Sequence, residues 1–313
     1  MLLIYKNDHL GGSIMHKKDF FFGILTVIIW GVNFIAIQVG LTTVPPLLLG
    51  ALRFLVVTFP LIFFFPRPPI PWKYLIALGL TINTGQFAFL FLGMKLGMPA
   101  GLASLIIQSQ VFFTSLLAIC ILNEKSFLNH VIGLLTASLG ILVIGLQHGG
   151  NMTLSGFVFT ICAAVSWAIG NIITRKSSIN NPSYSALSLV VWSGAIAILP
   201  LLLLSWFIEG PAAWALAWQM SDAKTIAALI YLGYFASLIG YVIWSRLLTK
   251  YPAGIVSPLA LLVPVVGISS SALLLHEQLS FYQGVGIVLV MFGLIIHVLG
   301  KKCIARLLVL AKS

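Results

Sequence analysis

The sequence predicts an all-α integral membrane protein: ten transmembrane helices in two five-helix repeats of inverted topology, with both termini in the cytoplasm. Three observations carry that prediction. Hydrophobic residues make up 60% of the 313-residue chain and charged ones 7%, too few charges to solvate a water-soluble domain of this size. The basic residues fall unevenly across short loops, and the chain is written twice.

A bilayer's hydrocarbon core of ~30 Å needs roughly 20 apolar residues at ~1.5 Å each. Ten such runs occur, at 20–39, 47–65, 74–92, 100–122, 130–146, 154–174, 186–207, 225–247, 253–275 and 281–299. The first is too long for a signal h-region and has no small-x-small cleavage site behind it, so it is expected to stay as a helix. Met15, His16, Lys17 and Lys18 read as a cytoplasmic start, which leaves residues 1–14 as an extension without a structural role. The first helix carries Trp30, Asn33 and Gln38; the second, Arg53; the third, Asn83 and Gln86. On the fourth, Ser104, Gln108 and Ser115 share one helical face, and Gln110 and Thr114 another. The fifth and tenth place Gly133 with Gly140, and Gly286 with Gly293, at a seven-residue spacing. Small residues so spaced predict close packing of those helices, within one chain or between two copies in a homodimer.

The sixth helix brings Trp167 and Asn171, and the seventh leads into a longer connection over 208–224. On the eighth, Tyr231, Tyr234, Ser237 and Tyr241 lie within a face about 120° wide. Tyr231 is read as an interfacial ring, while Tyr234 and Tyr241 lie deeper, where a hydroxyl needs a partner. Pro258 and Pro264 remove backbone donors from the ninth, which predicts a kink or gate there. His297, near the cytoplasmic end of the tenth, is read as an interfacial residue.

The net charge of +11 raises nucleic acid as a partner, and the positions of the 17 Lys and Arg residues exclude it. With the N-terminus inside, 14 of them are cytoplasmic, Lys95 and Lys224 are external, and Arg53 alone lies within a span. Cys120, Cys162 and Cys303 show no metal-type spacing, so no disulfide, metal or cofactor is expected.

Pro99-Ala100-Gly101-Leu102-Ala103-Ser104 aligns with Pro252-Ala253-Gly254-Ile255-Val256-Ser257 at an offset of 153, and the same register puts Glu124 on Glu277, Gly133 on Gly286 and Gly140 on Gly293. Five spans per repeat is an odd number, so the second copy inserts upside down. Such a pair gives two interchangeable conformations, each open to one side. The expected segments are a first repeat at 15–149, a second at 150–302 and a cytoplasmic tail at 303–313.

Gln108 and Gln110 have Leu261 and Val263 as repeat mates. The fold is thus symmetric and the polarity is not, as a ligand site would require. The candidate substrate-binding residues are Trp30, Asn33, Arg53, Asn83, Gln86, Gln108, Gln110, Trp167, Asn171, Tyr234 and Tyr241. Polar groups in hydrocarbon cost several kcal/mol and face other helices or water. Arg53 either snorkels outward or draws the carboxylate of a small zwitterion.

The stretches "WGVNFIAIQVG" (30–40), "PPLLLGALRF" (45–54), "GQFAFLF" (85–91), "GMPAGLASLIIQSQVFFT" (97–114), "SLVVWS" (188–193) and "PLALLVPVVG" (258–267) resemble the EamA family of the drug/metabolite transporter superfamily, and within it the members that export O-acetylserine and cysteine. The resemblance implies ten helices in two inverted repeats, a bacterial inner-membrane location and efflux of small amino-acid metabolites. Gln38 departs from it where a lysine is expected, and His276 where an acidic residue is expected.

The expected function is therefore export of small amino-acid metabolites by alternating access, with no catalytic residues. The alternatives are a broad-specificity amphiphile or multidrug exporter on the same fold and, more remotely, an integral-membrane enzyme. The first wants a buried carboxylate for a cation, and the second a nucleophile beside a base. Neither pattern is present in the sequence.

Overall fold

The computed structural model describes residues 15–122, 128–146, 152–179, 185–250 and 256–310, and these are helical throughout apart from short turns. Glu124, the sequence mate of Glu277, lies outside the described residues. In chain order the α-helices are α1 (Lys17–Gly40), α2 (Pro46–Thr58), α3 (Trp72–Leu78), α4 (Gln86–Lys95), α5 (Ala100–Ile106), α6 (Gln110–Leu122) and α7 (Leu128–Gly145). They continue with α8 (Leu154–Ile179), α9 (Ala186–Ile208), α10 (Pro211–Met220), α11 (Ala223–Ile230), α12 (Gly240–Lys250), α13 (Leu262–Leu274) and α14 (Phe281–Leu310). Seven helical stretches among the described residues are long and apolar enough to cross a bilayer, and three shorter apolar ones join them.

Several predicted spans are continuous but not uniform. A π segment, Gly79–Gly85, joins α3 to α4, and another, Tyr231–Ile239, joins α11 to α12. Each contains a hydroxyl bonded five residues back: Thr84 to the carbonyl of Gly79 and Ser237 to that of Leu232, both at 2.9 Å. Thr84 and Ser237 stand 153 positions apart, the register of the sequence repeat. A 3₁₀ turn, Ile107–Ser109, links α5 to α6, and a second, Ser257–Leu261, leads into α13. The fourth span was expected as one regular helix with Ser104, Gln108 and Ser115 on a common face. The 3₁₀ turn shifts the helical phase between them, and the three side chains go to different partners.

α1 packs on α13, α2 on α9, α4 and α6 on α8, and α7 on α14. The last pair meets backbone to backbone. A Cβ built on Gly133 would lie 2.7 Å from the carbonyl oxygen of Gly293, and one on Gly140 2.7 Å from that of Gly286. The glycine faces read from the sequence thus meet within one chain.

Carboxylates tie the helix ends together. Glu209 accepts from the backbone N–H groups of Leu47 and Leu48, at 2.7 and 3.1 Å, and so caps α2. Glu277 does the same for Ala100 and Gly101 at the start of α5, at 2.7 and 3.0 Å. Its neighbour His276 takes a left-handed φ of 54°, which reverses the chain after α13. Each carboxylate satisfies amides that a helix start leaves without partners, and does so at the positive end of the helix dipole.

Two readings need correction. The connection over 208–224 contains α10, whose Pro211 pre-sets the first turn after Gly210 (φ 82°). His297 is buried, 6% exposed, because Phe112, Ser115 and His130 surround it. Hydropathy could not show this, since those partners lie far away in sequence.

Candidate functional site

Arg53 sits in the middle of α2 and is 3% exposed, so it does not snorkel. Its guanidinium donates through Nε and Nη2 to the Ser237 hydroxyl, at 3.3 and 3.0 Å, and lies over the Phe87 ring at 4.1 Å. Ser237 accepts these bonds because its own hydrogen is committed to Leu232 in the π segment. Tyr241 lies one turn further along the same span. The Tyr241 ring meets Trp30 edge-on at 5.6 Å, and Trp30 donates its indole N–H to the carbonyl of Ala236 at 3.0 Å. Arg53 and Trp30 thereby bond to adjacent residues of the second π segment, Ser237 and Ala236, and Tyr241 lies against Trp30.

This cluster is electrically incomplete. Among the described residues no carboxylate pairs with Arg53, and its buried Nη1 has no partner. A buried cation without a counter-ion is costly unless something supplies the negative charge. Three buried amide oxygens are also without donors: Asn33 Oδ1 and Gln38 Oε1 on α1, and Gln86 Oε1 at the start of α4. One cationic donor and several bare acceptors complement a molecule with a carboxylate and an amino group.

A second polar cluster joins α6 to α8. Asn171 donates through Nδ2 to Gln110 Oε1 at 2.8 Å and to the Thr114 hydroxyl at 3.1 Å, and Thr114 donates to Gln110 Oε1 at 3.2 Å. Trp167, one turn before Asn171, is half-buried against the main core.

The remaining candidates are placed separately. Asn83, within the first π segment, donates to the Ser193 hydroxyl of α9 at 2.8 Å. Gln108 donates to the carbonyl of Ala260 at 3.3 Å, joining the two 3₁₀ turns. Pro258 lies in the second of those turns, and Pro264 is buried in α13. Tyr234 is half-buried in the second π segment. Tyr231, expected at an interface, donates to the carbonyl of Ile29 at 2.9 Å.

Residues 18–146 and 154–299 each match the model of the EamA-like transporter family. The chain belongs to that family. It is a multi-pass membrane protein, as the apolar helices and the EamA match together require. Among EamA-type relatives, a probable amino-acid metabolite efflux pump of Salmonella typhimurium is 47% identical over 290 residues, covering 92% of this chain and 97% of the pump. A protein of Escherichia coli K12 described in the same words is 44% identical with the same coverage. One solved crystal structure matches with a TM-score of 0.62 at 19% identity, covering 91% of this chain and 99% of the other, a likeness of fold alone.

Sequence reasoning missed Phe87 and Ser193, and noted Ser237 without joining it to Arg53. Phe87 had one available signal: it directly follows Gln86, itself a polar residue inside an apolar run. Ser193 had none, since serines are common in membrane helices and make local bonds there.

Proposed function

We propose that this EamA-type transporter exports small amino-acid metabolites of the O-acetylserine and cysteine type across a bacterial inner membrane by alternating access. The observation that carries the reading is Arg53, buried in a span with one donor unpaired and no carboxylate beside it. A zwitterionic substrate supplies the missing anion. Its ammonium group then meets the bare oxygens of Asn33 and Gln86, with Trp30 and Tyr241 as the wall on the Arg53 side. The separate cluster of Gln110 and Asn171 beside Trp167, together with Asn83, Gln108 and Tyr234, joins the path as the halves exchange conformations. Pro258 and Pro264 weaken the ninth span where it has to bend.

The proposed architecture is ten spans in two inverted repeats, 15–149 and 150–302, with both termini cytoplasmic and the tail at 303–313. Two things support it: the matching π segments at one sequence register, and the positive-inside distribution of Lys and Arg. Inversion relates the halves by a pseudo-two-fold axis in the membrane plane, and exchanging their conformations opens the opposite side.

The test is uptake of labelled cysteine and O-acetylserine into inside-out membrane vesicles. Saturable uptake that an Arg53→Gln variant loses is the expected result. Equal uptake by vesicles with and without the folded protein overturns the substrate assignment.

A further inference from the structure

His297 is enclosed on every side the structure describes. Nε2 meets the Ser115 hydroxyl of α6 at 2.8 Å, and Nδ1 meets the carbonyl of His130 on α7 at 3.3 Å. The His130 ring stacks on it at 4.6 Å between centroids, and the Phe112 edge closes it at 5.2 Å. Asn129 donates to the carbonyl of His297 at 3.0 Å, fixing α7 against α14 at this level. A carbonyl can only accept, so Nδ1 carries a hydrogen. In the neutral ring Nε2 is then the acceptor, and Ser115 donates to it.

We propose that the His130–His297 pair is the coupling-proton site of the exporter, with His297 Nε2 as the atom that takes the proton. This rests on the transport reading above. Export against a gradient needs a coupled ion, and a proton needs a group inside the helix bundle that exchanges it near neutral pH. Of the described carboxylates, Asp19 is buried in the first turn of α1 and Glu209, Asp222 and Glu277 are engaged at helix ends, and the ordinary proton affinity of a carboxyl lies well below neutral pH. Imidazole is the side chain whose ordinary proton affinity falls in that range. Of the described histidines, His16 precedes α1 and His276 lies in the exposed turn after α13, which leaves the stacked pair.

The groups facing His297 are few. On α7 the only titratable side chain is His130, on α6 it is the exposed Cys120, and the 3₁₀ turn Ser257–Leu261 has none. Lys301 and Lys302 follow on its own helix, and Glu124 and Lys125 precede α7 outside the described residues. Two stacked imidazoles cannot both be charged without strong repulsion, so the pair holds one proton at a time.

Protonation is linked to the polar cluster through α6, with the proton staying on His297. Once Nε2 carries a hydrogen it becomes a donor, and the Ser115 hydroxyl must turn from donor to acceptor. Ser115 is next in sequence to Thr114, which bonds both Gln110 and Asn171. Adjacent residues on a helix are ~100° apart, so α6 presents the proton site on one face and the polar cluster with α8 on another. A shift of α6 that suits the protonated ring disturbs that cluster, and linkage makes proton and substrate affect each other reciprocally.

Two measurements test this. The first needs no substrate: protein with ¹⁵N-labelled histidine in nanodiscs is titrated by NMR between about pH 5 and 8. One imidazole signal, absent in His297→Gln, is expected to change protonation, and the amide signals of Thr114 and Ser115 to move with the same midpoint. A His297 ring that keeps one tautomer across the range overturns the proposal. The second uses proteoliposomes and labelled cysteine. Glutamine can still bond Ser115 and the His130 carbonyl, so His297→Gln should keep exchange at equal pH while losing roughly tenfold or more of gradient-driven accumulation. Accumulation equal to that of the wild type overturns the proposal. If the wild type carries no cysteine, the fault lies with the substrate reading, and the NMR titration alone decides the proton site.

Discussion

Gln108 donates its amide to the carbonyl of Ala260 at 3.3 Å, an oxygen that also accepts a backbone N–H at the end of the second 3₁₀ turn. The two residues lie on different spans, and the bond joins them. Gln108→Leu is expected to cost about 1 kcal/mol, the net worth of one side-chain hydrogen bond, because the carbonyl keeps its backbone partner. Thermal denaturation of the two proteins in detergent measures it; a loss of several kcal/mol would mean that Gln108 holds more than this carbonyl.

Arg53→Lys keeps the charge and removes the fork that holds Ser237 while leaving Nη1 free. Transport affinity should fall by roughly 30-fold, equivalent to about 2 kcal/mol of charge-assisted hydrogen bonding. Ser237→Ala, which takes away only the internal partner, should weaken it less. Initial rates against substrate concentration distinguish the two, and an unchanged KM in Arg53→Lys removes the guanidinium from recognition.

Gly140→Ala places a methyl 2.7 Å from the Gly286 carbonyl oxygen, whereas at Gly284 on the same partner helix an added Cβ meets nothing within 4 Å. The first should destabilise the protein by about 1–3 kcal/mol through forced separation of α7 and α14. Gly284→Ala should be neutral or slightly stabilising. Melting midpoints of the two variants are the readout, and equal values would mean that the helices do not touch at Gly140.

Ser271 is fully buried beside Gly101, under the cap that Glu277 makes on α5. A Ser271→Cys protein should react slowly with an aqueous maleimide. Adding Glu277→Ala should speed labelling by roughly tenfold or more, since two helix-end amides lose their acceptor. Equal rates would show that Glu277 does not hold this end closed.

Asp222 stands just before α11 and accepts from the backbone N–H and then the hydroxyl of Thr225, at 2.8 and 2.9 Å. These bonds hold its carboxyl below the ordinary value of 3.8. A carboxyl with a depressed folded-state value stabilises fully above its unfolded value and loses that contribution as pH falls through the folded one. The melting gap between wild type and Asp222→Ala should therefore stay constant above about pH 4 and close below it. A gap that widens on acidification contradicts the assignment.

Hydropathy located the apolar helices well because a span is an average over many residues: the expected run at 130–146 is α7 at Leu128–Gly145, and 186–207 is α9 at Ala186–Ile208. The same averaging hides a local change of winding. The π segments and the 3₁₀ turn Ile107–Ser109 were invisible, and with them the separation of Gln108 from Ser115. α10 was missed because its apolar ten residues are too short for a span and were read as connection. In the site, residue types were legible and partners were not. Arg53 meets Ser237 and Asn83 meets Ser193 from more than a hundred positions away. His297 gave the wrong impression for the same reason: its depth in the bundle is set by α6 and α7.

The joint between α7 and α14 brings main chain against main chain, at Gly133 with Gly293 and Gly140 with Gly286, and the Ile144 side chain packs into the same gap at Gly286. So close a fit leaves little room to rearrange, and the joint resists loosening by degrees. In the alternating-access cycle proposed above, the two helices are therefore expected to travel together as one rigid post, the stator of the machine and not one of its moving arms.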